Sequence, residues 1–352
     1  MKIVYVGVQY NFYNPAQGLS FEHYNFYESL RSLEGVDDVV YIPYEDILKY
    51  GKKRWNSMLL ERVKQEKPDL FFAFMLSDEL EFHVLDEIKS RTTSVAWFAD
   101  DHWRLHNYSR WYASHFTWAV TTWSKAKEYY AQYGITNIFC SQWAANTMIY
   151  RPTMKEENKT SSEVSFVGSW SKPRAYIIQK MKKARIPLNV YGGGWGSGRI
   201  NETKMINLFS TSKINLGLNP APGYWNVNSL GRLFLRRSIN TFVPDFHIIT
   251  NLKAWSCRGI PQIKARHFEI PACAGLLLTG FTDDLEKYYE NGKEVVMYDS
   301  IDDAIEKINY YLVHKNEREA IARAGYARTI KDHTYHVRFK ELFQAIRCPS
   351  FS

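Results

Sequence analysis

Cysteine is scarce in this chain: four residues, Cys140, Cys257, Cys273 and Cys348, in 352. They stand far apart, with no C-x-x-C pair and no histidines at ligand spacing, so the sequence indicates neither a disulfide framework nor a zinc site. A reducing compartment fits this usage best. Long apolar runs are missing as well. None approaches the roughly 20 residues of a membrane span, so the expectation is a cytoplasmic protein whose only membrane contact would be peripheral. The start, Met1-Lys2 followed by Ile3 to Val8, lacks the apolar length and cleavage site of a signal peptide and reads as a buried first strand. Low-complexity tracts and internal repeats are also absent, which leaves no repeat array or disordered tail to explain.

What is present is an ordinary globular composition, 45% hydrophobic and 23% charged, with an unusual aromatic share of 11 Trp, 24 Tyr and 20 Phe. Flat rings serve sugar or base stacking as well as core packing. The formal charge of +8 favours anionic partners such as nucleotides, nucleic acids and anionic lipids. The length predicts two domains at about 150 residues each.

Apolar runs at 2–8, 38–42, 69–74, 94–99 and 116–121, separated by helical patterns, predict a doubly wound parallel sheet. Ligands sit at the carboxyl ends of such strands. A first domain is expected over 1–153. The polar stretch 154–163 has linker composition. Strand runs then resume at 164–167, 188–191, 214–218 and 275–279, with helical segments at 174–184, 302–314, 318–330 and 335–346. The expectation is a second α/β domain over 163–334 and a closing helix, 335–352, that packs back on the first domain.

Three motifs carry chemistry. Phe166-Val167-Gly168-Ser169 ends a strand, with Lys172 and Arg174 where the next helix should begin. Glycine lets the backbone approach a phosphate, the helix N-terminus offers free N–H groups, and a cation supplies charge. Taken alone, a structural turn with solvated basic residues reads equally well. Tyr191-Gly192-Gly193-Gly194-Trp195-Gly196 ends the next strand in a flexible loop, where a plain turn is again the alternative. The densest run is Gln262 to Thr279. In it Lys264 and Arg266 precede Glu269 and a small-residue helix, and Gly275 then leads into an apolar strand. A carboxylate so placed can accept both ribose hydroxyls while a neighbouring cation neutralises a diphosphate. Helix capping or a surface ion pair is the competing reading.

From Phe166 to about Arg338 the chain resembles the glycosyltransferase family typified by the spore maturation protein CgeB. The pieces that carry the resemblance are the Phe166 to Ser169 turn with Arg174, Val190 to Trp195, Ile214-Asn215-Leu216, Lys264 to Ile270, and Gly292 to Val296 with Tyr298. Tyr310-Tyr311-Leu312, Gly325 and His333-Thr334-Tyr335 before Arg338 complete it. The first domain resembles the family only loosely, through its sheet pattern and Gly134 to Pro152.

The resemblance implies a GT-B fold, two Rossmann-like doubly wound α/β domains facing a cleft, and transfer of a sugar from a nucleotide-diphosphate sugar. It implies that Gly168, Ser169, Arg174, Gly193, Lys264, Arg266 and Glu269 bind that donor, with Glu269 on the ribose and Arg174 on the diphosphate. It also implies retention of configuration and chemistry without a metal or other cofactor. One departure stands out. Related enzymes often carry a second glutamate eight positions before Glu269, where this chain has Pro261, so contacts to the sugar hydroxyls must come from elsewhere.

For catalysis the first domain offers Asp100 and Asp101 directly after the strand ending at Ala99, and Glu22 and His23 at the mouth of the first loop. An inverting enzyme needs a side-chain base, whereas a retaining one can use a donor phosphate oxygen. Capping of the following turn is the competing reading for the aspartate pair. The stretch from Pro220 to Pro261 looks longer than the fold needs. Its Trp225, Arg232 and Arg236 are expected to shape an acceptor site, with a packed hairpin or an oligomer contact as the alternative. The acceptor is expected to be a glycan, a lipid-linked glycan or a cell-surface group. A modified base in DNA and a non-catalytic nucleotide-sugar-binding protein are the competing functions.

Overall fold

The computed structural model describes residues 1–153, 162–221, 227–348 and 350–351. The strands are β1 (Lys2–Gly7), β2 (Asp38–Pro43), β3 (Leu70–Met75), β4 (Thr93–Phe98), β5 (Trp118–Thr121), β6 (Ile138–Cys140), β7 (Val164–Val167), β8 (Leu188–Tyr191), β9 (Ile214–Gly217), β10 (Leu235–Ser238), β11 (Thr241–Pro244), β12 (Leu277–Gly280) and β13 (Val296–Tyr298).

Two compact units share them. The first comprises Met1–Gln142, Gly223–Gly259 and Tyr335–Ser352, and the second Trp143–Pro222 and Ile260–Thr334. The described residues 227–259, which the sequence places inside the 163–334 domain, therefore belong to the first unit. The expected linker, 154–163, falls mostly outside the described residues.

In the first unit β1 to β6 form one sheet whose strands all run parallel, in the order β2-β1-β3-β4-β5-β6. Helices cover both faces of such a sheet, so its central strands are apolar without alternation. All six residues of β3, Leu-Phe-Phe-Ala-Phe-Met, are buried. Much of the aromatic surplus ends here. Phe26 meets Phe74 at 4.8 Å and Trp97 and Tyr335 at 5.0 Å between ring centroids. Through Tyr335 and Phe339 the helix Tyr335–Ala345 joins this core. The rings that look like stacking platforms in sequence are, in this cluster, packing.

The second unit holds a five-stranded parallel sheet, β13-β12-β9-β7-β8. Its core gathers Phe166, Met181, Leu216, Leu278, Val296 and Ile308 among others. Gly275 lies in the turn before β12 rather than in the strand. A Cβ there would stand 2.3 Å from the Phe209 carbonyl oxygen, so only glycine allows the two backbones to come this close. β10 and β11 form an antiparallel hairpin within the first unit that the sequence pattern does not reveal. Its residues are mostly exposed, so no buried face imposes alternation.

Candidate functional site

In the second unit the carboxyl ends of β7 and β8 lie side by side and their loops are laced together. The Gly168 amide donates to the Tyr191 carbonyl (2.9 Å), the Trp170 amide to the Gly193 carbonyl (2.8 Å) and the Trp195 indole to the Gly168 carbonyl (2.8 Å). The β7 loop then enters the helix Lys172–Lys183, where Ser171 caps the first turn by accepting from the Arg174 amide and Pro173 fills the opening. Arg174 folds back over this loop. Its Nε donates to the Leu218 carbonyl (3.0 Å) and its Nη1 to the Ser169 carbonyl (2.9 Å). Burial lowers its pKa, and Arg266 adds to the effect. Two guanidiniums that repel one another at the end of this loop form a place for an anion.

Glu269, in the helix Arg266–Ala272, is fully buried. One of its carboxylate oxygens is paired with Arg266, while Oε1 has no hydrogen-bond partner among the described residues. A buried carboxylate oxygen left in this state calls for a donor from outside the protein. Lys264 donates from its side chain to Gln262. His267 is structural. Burial pushes its pKa down to about 4, so the ring is neutral, with Nε2 3.0 Å from Thr279 Oγ1, which itself donates to the Gly217 carbonyl (2.7 Å). Nδ1 lies 2.8 Å from the Lys264 carbonyl oxygen and 3.0 Å from the Lys264 amide.

The first unit contains a cavity of about 870 Å³ at the carboxyl ends of β3 and β4. Leu76, Asp78 and Asp100 reach it from those strand ends, and Arg232, Arg236 and Arg258 from the 227–259 segment. Trp103 lines it, and three guanidiniums gather around its ring: Arg232 at 4.6 Å, Arg258 at 5.1 Å and Arg104 at 5.9 Å from the centroid. Arg104 also lies 3.9 Å from the Tyr108 ring. The other charges are largely matched. Asp78 takes Arg236 (2.7 Å) and Lys52 (3.6 Å), and Asp245 takes His247 (2.7 Å).

The sequence-predicted residues are thus divided between two places. Gly168, Ser169, Arg174, Gly193, Lys264, Arg266 and Glu269 all belong to the second unit. Asp100, Arg232 and Arg236 line the cavity of the first. Asp101 does not join Asp100. It is buried beneath the sheet edge, accepts from the Tyr130 hydroxyl (3.0 Å), and is pushed up to about 6 by desolvation. His23 is also packed away from the cavity. It lies 5.1 Å from the Tyr27 ring and 5.7 Å from the Tyr41 ring, with Glu28 at 3.5 Å and a pKa lowered by burial. Of the three residues expected to be catalytic, Asp100 alone lines the cavity. Trp225 lies outside the described residues. Sequence reasoning missed Trp103 and Arg104, although only His102 separates them from the aspartate pair and they are a ring and a cation beside a strand end. Among the described residues no group of three or more His, Cys, Asp or Glu side chains is placed to hold a metal ion.

Residues 174–344 match the family described as glycosyl transferase-like. No curated protein sequence matches the chain. Solved structures resemble it over nearly its whole length. Anabaena HepE in complex with UDP and glucose has a TM-score of 0.61 at 9% identity, covering 99% of both chains. Sucrose-phosphate synthase from Thermosynechococcus elongatus also gives 0.61 at 9% identity, over 98% of this chain and 99% of that one. The lipopolysaccharide outer core galactosyltransferase WaaB gives 0.55 at 13% identity over 99% of both. The fold is GT-B. In this GT-B chain the glycosyl transferase-like match spans most of the second unit, where the Arg174 and Glu269 constellation lies. It ends within the helix Tyr335–Ala345. Among the described residues no helix is long and apolar enough to cross a membrane.

Proposed function

We infer that the protein is a glycosyltransferase that takes a hexosyl or pentosyl group from a nucleotide-diphosphate sugar, with retention and without a metal, in the manner of the CgeB-like enzymes. The observation that carries this reading is Glu269, a fully buried carboxylate with one oxygen held by Arg266 and the other without a partner. A ribose hydroxyl would complete it. Arg174 and Arg266, close enough to lower the Arg174 pKa, would meet the diphosphate charge that a cation meets elsewhere. The helix N-terminus after Ser171 would add its N–H groups. The glycosyl transferase-like match over 174–344 and the UDP and UDP-glucose bound to HepE point the same way. They make UDP-glucose the first donor to try. The four cysteines are all free, which suits a cytoplasmic enzyme. The acceptor would be held by the cavity of the first unit, beside Asp100.

The test is calorimetry with UDP, together with UDP release from UDP-glucose. Wild type should bind UDP, and Glu269→Ala should bind it ten- to a hundredfold more weakly, because a hydrogen bond to a charged acceptor is worth roughly 1.5–3 kcal/mol. Unchanged affinity in a folded variant would remove Glu269 from the donor site.

A further inference from the structure

The cavity of the first unit holds more positive charge than its own acids neutralise. Its lining carries six cations, Lys52, Arg104, Arg232, Arg236, Arg237 and Arg258, against four carboxylates, Asp78, Glu81, Asp100 and Asp245, and three of the guanidiniums, Arg104, Arg232 and Arg258, gather around Trp103. Burial lowers the pKa of both Arg232 and Arg258, and one carboxylate, Asp100, lies among them and offsets part of that effect. Arg258 is the most telling of the three. It is only 8% exposed, its Nε donates to Ser229 Oγ (2.9 Å), and its Nη1 has no hydrogen-bond partner among the described residues. A buried guanidinium N–H left without an acceptor is costly, and natural proteins keep one where a ligand supplies the acceptor. Arg232 is exposed along much of its length, yet its head lies in the cavity. There, loss of solvent first, and then Arg258 and Arg104, lower its pKa to about 10.

We propose that this cavity is a phosphate-recognition pocket, in which Arg258, Arg232 and Arg104, held on the Trp103 ring, bind a phosphate group carried by the sugar acceptor.

The proposal rests on the glycosyltransferase reading for the word acceptor, but not for the pocket itself. Charge selects phosphate. Six lining cations less four carboxylates leave two positive charges, which match the nearly doubly ionised phosphomonoester rather than a single carboxylate. Size selects a small occupant. At about 870 Å³ the space is that of a small-molecule site, enough for a sugar with its phosphate and far from the extended basic face that a duplex requires. Trp111, Trp255 and Phe82 also line the cavity and supply apolar wall beside the sugar attached to that phosphate. A phosphosugar and the phosphate end of a lipid-linked sugar share this chemistry, and chain length of the probe separates them.

Calorimetry on the full chain with glucose 1-phosphate, inorganic phosphate and glucose tests the pocket, and UDP titrations on the same samples test the donor site. Glucose 1-phosphate should bind more tightly than glucose. Arg232→Ala, at a largely exposed position where folding is secure, should weaken glucose 1-phosphate at least tenfold and leave UDP unchanged. Arg258→Lys should do the same to a smaller degree, since the charge survives and the planar fork is lost. Arg174→Ala should show the reverse pattern, losing UDP and keeping glucose 1-phosphate. A short-chain prenyl phosphate that binds tighter than glucose 1-phosphate, and loses that binding in Arg232→Ala, would assign the phosphate to a lipid-linked acceptor. Equal glucose 1-phosphate affinity in wild type and Arg232→Ala would overturn the proposal. So would an oligonucleotide that binds more tightly than glucose 1-phosphate and loses its affinity in the same variant. If UDP fails to bind wild type while glucose 1-phosphate behaves as stated, the donor reading falls and the pocket stands.

Discussion

His267 shows how one buried side chain can set the acid limit of the second unit. Its pKa is about 4 in the folded protein against an ordinary value near 6.5. A depressed folded value means that the stability from the neutral ring is complete above pH 6.5 and is lost as pH falls toward 4. Linkage puts the loss at about 2 kcal/mol by pH 5 and about 3 kcal/mol below pH 4. Asp101 works with the opposite sign. Its carboxyl is raised to about 6, so its contribution is full below the ordinary value near 3.8 and disappears as pH rises through 6. The raw pH profile mixes the two, and a difference between variants separates them. His267→Gln should be less stable than wild type at pH 7.5, because the bonds to Thr279 and the Lys264 amide are altered. That deficit should shrink by about 2 kcal/mol at pH 5, read as urea midpoints. A deficit that stays constant between these values would show that His267 titrates normally.

Among the elements, the paired loops after β7 and β8 make the sharpest demand on sequence. Gly192 has φ +138°, and a Cβ on it would lie 2.1 Å from the Gly168 carbonyl oxygen, which is backbone and has no rotamer to move to. Gly198, in the same loop, has φ +69° with open space around it. Alanine at 198 therefore incurs only left-handed strain, about 1 kcal/mol, whereas alanine at 192 must push the two loops apart and should cost roughly 2–4 kcal/mol. The Gly168 turn moves with it, so UDP affinity should fall in Gly192→Ala and hold in Gly198→Ala. Urea midpoints and calorimetry on the pair check this, and equal behaviour of the two variants would mean that the loops are not locked together. These loops were legible in the sequence because apolar runs bounded by glycine mark strand ends directly, and β7 and β8 begin and end where the pattern places them. The β10–β11 hairpin was not legible. A two-stranded ribbon with Leu235 42% and Phe242 66% exposed carries no inside and outside for periodicity to detect. The Trp103 pocket was hidden for another reason: Arg104 and Arg258 are brought together by the path of the chain and not by any local motif.

At the scale of the whole molecule, connectivity couples the two units whatever their surfaces do. The first unit is assembled from three pieces, Met1–Gln142, Gly223–Gly259 and Tyr335–Ser352, and each gap between them is filled by a segment of the second unit. While the second unit is folded, the ends of each segment are fixed. Once it unfolds, the first unit must close two flexible loops of about 75 to 80 residues, and each closure costs roughly 4 kcal/mol by the (3/2)RT ln n rule. That is a large share of the 5–15 kcal/mol that holds an ordinary domain together. A ligand confined to the second unit should therefore protect the first. UDP at a hundred times its dissociation constant contributes about 2.7 kcal/mol. Under native conditions, hydrogen exchange of the slowest amides in β1, β3 and β4 should slow along with that of β7 and β9. The Glu269→Ala variant at the same UDP concentration should show both effects weakened together, because a ten- to hundredfold loss of affinity leaves only about 0.4–1.4 kcal/mol of stabilisation. Protection that appears in β7 and β9 alone would mean that the first unit keeps its fold with the second one open, and the coupling through the chain would then be too weak to matter.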